Sequence, residues 1–141
     1  MAKKIVKQIK VQIVGGRATP APPVGTSLGP HGINLGKFVA EFNERTREIA
    51  GTVVPVIVTI FSDRSFEFVV KTPPASVLLK QAANVAKGAS DRKGGFVGWI
   101  DRNSFECVVK TKLCDLNTED LECARRIVAG TARSIGIELR P

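Results

Sequence analysis

The stretch VVPVIVTIFSDRSFEFVVKTPPASVLLKQAA, residues 53–83, decides the fold. Its first nine residues are rich in β-branched side chains, which suit a pleated surface, and residues 53–61 read as a strand. Pro55 has no N–H to give a ladder, so it belongs near a sheet edge or at the strand's start. Ser62-Asp63-Arg64-Ser65 is turn chemistry, and Phe66–Val70 alternates again, so residues 53–70 predict a β-hairpin. Lys71-Thr72-Pro73-Pro74 then punctuates the chain, because proline biases the residue before it away from helix. Beyond it the apolar period changes from two to helical, with Ala75, Leu78, Leu79, Ala82 and Ala83 on one stripe. Thr72 is placed to cap that helix, with Pro73 at its first position. The boundary falls at residues 71–73, giving a domain 1–71 and a domain 72–141.

Upstream, residues 5–14 alternate, with Ile9, Val11 and Ile13 on one face, and predict a half-buried strand. Residues 15–36 hold six glycines and four prolines in 22 positions. Proline fixes φ and glycine frees it, so the segment reads as a sharply bent, built surface loop of the kind that binds a partner. Asn34 is a plausible N-cap for a helix with Leu35, Phe38, Val39, Phe42 and Ile49 on its buried face, stopped by Gly51. Downstream, residues 87–98 form a second Gly-rich loop. Asp101 starts a helix with Phe105, Val108, Val109 and Leu113 inward. Asn117 or Thr118 caps another, with Glu119 and Asp120 in its first turn and Leu121, Ala124, Val128, Ala132 and Ile135 inward. Gly136 ends it, and residues 137–139 suit a short strand. The fold class is α+β: an N-terminal α/β domain with a small antiparallel sheet, then a mainly helical C-terminal domain. Domains of about 70 residues bury only ~60% of their unfolded surface, so a bound partner would stabilise them by linkage.

The formal net charge is +8 over 141 residues and the pI is near 9.8, which favours a polyanionic partner. The competing reading is a protein that merely carries extra lysines. Residues 1–72 carry ten basic and five acidic groups, and residues 73–141 carry eleven and eight. Neither half is a basic tail, so an anion site must be assembled on a folded surface. No run of ~18 apolar residues is present, so no membrane partner is expected. The N-terminus has charge but no apolar core of a secretory signal. Three cysteines, Cys107, Cys114 and Cys123, are expected to be reduced and buried or half-buried. Their spacing lacks a close CxxC pair and His31 is remote, so neither metal nor cofactor is expected. A phosphate-loop reading around Gly36-Lys37 fails, because His31 replaces its glycine and Phe38 its Ser/Thr. Asp63-Arg64 reads as a turn ion pair. No catalytic set emerges, which disfavours a small-molecule enzyme.

Residues 125–136, RRIVAGTARSIG, do carry chemistry. Gly130, Thr131, Ala132 and Ser134 lie among Arg125, Arg126 and Arg133. Small residues let a partner backbone approach, and Thr131 and Ser134 lie one helical turn apart with hydroxyls suited to phosphates and 2′-hydroxyls. Arginine adds charge-assisted contacts. A tight helix–helix contact through Gly130, Ala132 and Gly136 explains the same pattern, and the two readings stand level. Lys87, Ser90, Arg92 and Lys93 with intervening glycines make a flexible basic loop suited to shaped RNA, or an ordinary solvated connection.

The segments PAPPVGTSLGPHGINL (20–35), SDRSFEFVVKTPPASVLLKQAA (62–83) and AGTARSIG (129–136) resemble, with the domain order and over the whole chain, the L-eleven family. This is the eleventh protein of the large ribosomal subunit, at the stalk base of the GTPase-associated centre. The resemblance implies a non-enzymatic protein whose C-terminal domain binds a compact domain of large-subunit ribosomal RNA. It puts Lys112, Asn117, Arg126, Gly130, Thr131 and Ser134, with Arg133 beside them, at the RNA, and Lys87–Lys93 in the loop that orders on it. Pro22 and Pro23, with Thr26, would face translational GTPases and thiopeptide antibiotics, with other stalk proteins as neighbours. Thr26 stands where the family commonly has proline, and Ala40 where bacterial members commonly have a methylated lysine, which leaves Lys3 as the modification candidate. Phe96 and Trp99 stand in a loop that is usually more basic; stacking on a base and simple packing are both open. A jointed N-terminal domain and a ribosome-associated, cytoplasmic setting of bacterial or organellar type follow. The alternative is a free RNA- or DNA-binding regulator using the helical half.

Overall fold

The alternating run at the N-terminus and the hairpin close into one sheet in a computed structural model of the chain. Residues 2–22 and 24–141 are described, with the side chain of Arg92 outside the account. The chain divides into two compact units, Met1–Lys71 and Thr72–Pro141.

In the first unit, β1 (Ile5–Val14), β2 (Val53–Phe61) and β3 (Phe66–Val70) form an antiparallel sheet in the order β1-β2-β3. Val54, Val56, Val58 and Ile60 sit at alternate positions of β2 and are all buried, as period-two patterning requires. They pack on Phe38 and Phe42 of α2 (Leu35–Arg45), whose rings form a cluster with Phe66 and Phe68. Phe38 meets Phe68 edge-on at 5.4 Å, a favoured aromatic geometry.

Three expectations about this unit change. The strand carrying Pro55 is central, not an edge, yet Pro55 does lie near its start. Its carbonyl accepts from Lys71 N–H (2.9 Å), just past the end of β3. In a strand N and C=O of one residue point the same way, so the missing donor costs a bond only where β3 has run out. The helix ends at Arg45 rather than Gly51. Thr46 caps it, the one buried polar residue among those described, with its hydroxyl donating to Phe42 O and accepting from Gly16 N–H. Ile49 therefore lies outside the helix and is exposed. The Gly/Pro segment is not loop throughout. It holds α1 (Val24–Leu28) and a 3-10 turn over Gly29–His31, and it buries Ala18, Val24, Leu28 and Ile33 in the core. A Cβ on Gly25 would sit 2.2 Å from Pro20 O, so only glycine fits there.

In the second unit, α3 (Ala75–Ala82), α4 (Arg102–Lys112) and α5 (Leu121–Ser134) enclose a core of Leu79, Phe105, Val108, Val109, Ala124, Val128 and Ala132. Asp101 caps α4 as expected, accepting from Ser104 N–H. The N-cap of α5 is Asp120, not Asn117 or Thr118, because its carboxylate accepts from Glu122 N–H. Thr72 does not cap α3; Pro74 holds that position without a side-chain bond. Two strands, β4 (Gly98–Asp101) and β5 (Ile137–Arg140), pair in parallel. The terminal strand was legible; its partner was hidden inside the end of a glycine-rich run. All three cysteines are exposed, against expectation, on the outer faces of α4 and α5 and in the turn after α4. Among the described residues no group of His, Cys, Asp and Glu could hold a metal ion, and no helix is long and apolar enough to cross a membrane.

Candidate nucleic-acid interface

The buried stripe of α5, Ala124, Val128 and Ala132, fixes which residues point the other way. At ~100° per residue, Arg126, Gly130 and Arg133 follow an i, i+4, i+7 course opposite the core. All three are exposed, and Ser134 beside them is exposed too. No ion pair within 4 Å engages Arg126 or Arg133 among the described residues. Gly130 is the telling member. A Cβ there would meet nothing within 4 Å, so no internal neighbour requires glycine in mid-helix. The level readings of the small-residue run thus divide by residue. Ala132 packs inward, and Gly136 (φ +77°) packs on Ala89, whose Cβ would lie 2.8 Å from an added methyl. Gly130 faces solvent. The Thr131 and Ser134 hydroxyls donate to Ile127 O and Thr131 O, which orients them and leaves their lone pairs to accept.

The second Gly-rich loop is pinned to the same helix end. Ala89 N–H donates to Ile135 O (2.9 Å) and Val97 N–H to Gly136 O (2.8 Å). Ser90 and Lys93 are exposed on the loop between these anchors and Lys87 just before the first of them, and the backbone at Arg92 begins a 3-10 turn, Arg92–Gly94. Asp91 holds that turn by accepting from Lys93 N–H. Ala89 and Val97 were missed from sequence, since their role lies in backbone donors that any residue but proline carries.

Other predicted residues are placed differently. Lys112 is held inside the second unit: its ammonium donates to Thr72 O and Oγ1 and lies 3.5 Å from Asp115. Asp115 also accepts from the backbone and hydroxyl of Thr72. Burial alone would raise the Asp115 carboxyl, but the Thr72 bonds and the Lys112 charge outweigh it and hold it below the usual range. Asn117 is exposed before the far end of α5, a helix ~20 Å long at 1.5 Å per residue, so it lies well away from the loop. Arg125, about 100° around the helix from Arg126, is bound bidentately by Glu106 (2.6 and 3.1 Å) and by Glu122.

In the first unit Pro22 and Thr26 are exposed; Pro23 lies outside the described residues. The Lys3 ammonium is exposed, 3.2 Å from Asp63 and 3.1 Å from Ser65 Oγ at the hairpin turn. Ser65's hydroxyl and backbone N–H, then Lys3, bring the Asp63 carboxyl down to about 2.

Comparison with known proteins separates the two units in the same way. A family model described as "Ribosomal protein L11, N-terminal domain" matches residues 9–66. One described as "Ribosomal protein L11, RNA binding domain" matches residues 71–139. The chain belongs to the L-eleven family of ribosomal proteins. Similar relatives include the large ribosomal subunit proteins uL11 of Treponema denticola, 49% identical over 138 residues, and of Rhodopirellula baltica, 51% identical over 137. These alignments span 97% of this chain and 96% and 97% of the respective relatives. The family is one of structural ribosomal proteins rather than enzymes. Its RNA-binding model covers α3 to β5 and so contains both the outward face of α5 and the pinned loop.

Proposed function

We propose that the chain is a structural constituent of the large ribosomal subunit that binds and stabilises a compact ribosomal RNA domain at the stalk base. Ribosomal association and RNA binding follow from the family. The finer reading is that contact runs through Arg126, Gly130, Thr131, Arg133 and Ser134 of α5 and through Lys87, Ser90, Arg92 and Lys93 of the loop, with Asn117 as an outlying contact. The observation that carries it is Gly130 on the solvent face between two arginines that form no ion pair among the described residues. Mid-helix glycine costs about 1 kcal/mol against alanine, and nothing inside the protein needs it. A partner backbone approaching that face does. Lys112 enters as a positioning residue that fixes Thr72 and Asp115.

In this reading the first unit faces translational GTPases transiently, through Pro22, Pro23 and the neighbouring Thr26, with other stalk proteins beside it. Thiopeptide antibiotics would enter at the same prolines, with Thr26 setting their affinity. Lys3 is the modification candidate; methylation would keep its charge and its attraction to Asp63. The setting is the ribosome, in the cytoplasm or an organelle.

The test is binding to a transcript of the large-subunit RNA domain across a salt series. Lys87, Lys93, Arg126 and Arg133 on phosphates give a log–log slope of roughly −3 to −4. A flat response, or equal affinity for generic duplex DNA, refutes the reading.

A further inference from the structure

Phe96 is 57% exposed, yet it is held in place. Gly95 turns the chain before it (φ +92°), and the Val97 N–H bond to Gly136 O fixes it behind. Its ring borders a cleft of about 430 Å³ on the outside of the second unit. Ala129, Ile137 and Leu139 give that cleft an apolar floor, and Arg133 and Glu138 its polar edge. Among the described residues Phe96 has neither an aromatic nor a cationic partner. Trp99 is also exposed, but Arg140 already faces its ring at 5.1 Å and is tied in turn to Glu138.

Resting on the RNA-binding reading above, we infer that Phe96 is a stacking platform for one unpaired nucleobase of the RNA, seated in the cleft beside Arg133. Three observations point there. The cleft continues the Arg126–Gly130–Arg133 face through Arg133 itself. A guanidinium at its edge with no ion pair among the described residues suits the phosphate attached to a splayed-out base. The backbone that carries the ring is already held, so only side-chain freedom is lost when a base stacks on it, and stacking accepts any base because every base has a π-face. An apolar protein segment would leave Arg133 desolvated without a counter-charge, which disfavours that occupant.

The experiment uses the full chain and the ribosomal RNA transcript. Phe96→Ala should weaken binding about 5- to 150-fold, the usual effect of removing one stacking ring, and Phe96→Tyr should restore it. The salt slope should stay at the wild-type value, because no phosphate contact is removed. In Phe96→Trp/Trp99→Phe the single tryptophan reports position 96, and its emission should be quenched on adding RNA. If the wild type binds while Phe96→Ala binds within twofold and the moved tryptophan is not quenched, the stacking inference is overturned and the RNA reading stands. If the wild type itself does not bind the transcript, the RNA reading falls and takes this inference with it.

Discussion

Gly130→Ala should make the protein more stable and worse at its task. The added Cβ meets no atom within 4 Å, so it introduces no clash and buries no polar group. It removes the entropic cost of glycine in the interior of a 14-residue helix, about 0.8–1 kcal/mol. For a unit of this size that raises the melting temperature by roughly 4–8 °C. Trp99 is the sole tryptophan and lies on β4, so its fluorescence follows the second unit specifically. If RNA backbone lies against residue 130, the same methyl is an overpacked atom at the interface. Overpacking typically costs 1–3 kcal/mol, so affinity for the ribosomal RNA transcript should fall about 5- to 150-fold. The salt slope should not change, since no charge is lost. Opposite signs in the two assays are the signature. Unchanged affinity with a raised melting temperature would show that no partner approaches Gly130. A lowered melting temperature would show that the glycine serves internal packing, and the interface argument would lose its main support.

Lys112→Ala and Arg133→Ala should separate cleanly. The first should lower the melting temperature of the second unit and leave the salt slope of RNA binding alone; the second should spare stability and make the slope shallower by ~0.7–0.9. Equal slope changes would mean that Lys112 meets phosphate after all. The Arg125 hydrogen bonds and charge outweigh burial to hold the Glu106 carboxyl below its ordinary range, as Thr72 and Lys112 do for Asp115. A folded pKa below the unfolded one adds stability above the unfolded value and loses it as pH falls through the folded one. Melting followed at Trp99 should therefore drop steeply below about pH 4, and Asp115→Asn should flatten that drop; an unaltered acid limb would rule the Thr72 tether out as its source. Pro22→Ala should leave RNA affinity within twofold but reduce factor-stimulated GTP turnover on ribosomes, and undiminished turnover would remove Pro22 from the factor-facing surface. Deleting residues 20–30 cannot serve as that test, because it would take Val24 and Leu28 out of the core and unfold the first unit.

The sheet and the main helices were legible because they rest on periodicity. Alternation at Ile9, Val11 and Ile13 and the helical spacing of Ala124, Val128 and Ala132 are local signals of burial, and burial follows them. Punctuation was less reliable. Gly51 and Thr72 look like a stop and a cap, yet Thr46 and Pro74 hold the ends of those helices. Competing hydrogen bonds made the difference: the Thr46 hydroxyl reaches back to Phe42 and across to Gly16, while Asp115 draws Thr72 away from α3. In residues 15–36 the density of glycine and proline hid the i, i+4 pair Val24 and Leu28, which turns what read as an open loop into part of the core. The cysteines erred the other way. Their type predicts burial, but positions 107 and 123 fall outside the apolar stripes of their own helices, and the stripe decides.

At the candidate interface the distinction between engaged and unengaged cations is what sequence could not supply. Arg125 and Arg126 are adjacent and chemically identical. Arg125 is turned toward α4 and met by Glu106, 19 positions away, while Arg126 stands on the solvent face. Lys112 is likewise met by a threonine 40 positions earlier. Counting basic residues therefore overstates the surface available to phosphate, since a cation with a carboxylate partner must surrender it to gain another. The loop shows the converse. Nothing local marks Ala89 or Val97 as important, but their backbone donors find the carbonyls just past the end of α5, tie the basic loop to that end of the helix and leave Phe96 lining one cleft with Arg133. Helical geometry puts Arg126, Gly130 and Arg133 on one face, and two backbone bonds extend that face into a surface. An isolated α5 peptide should consequently keep the arginines and lose the site, whereas Val97→Pro, which deletes one anchoring donor and leaves every cation in place, should weaken RNA binding in the full chain.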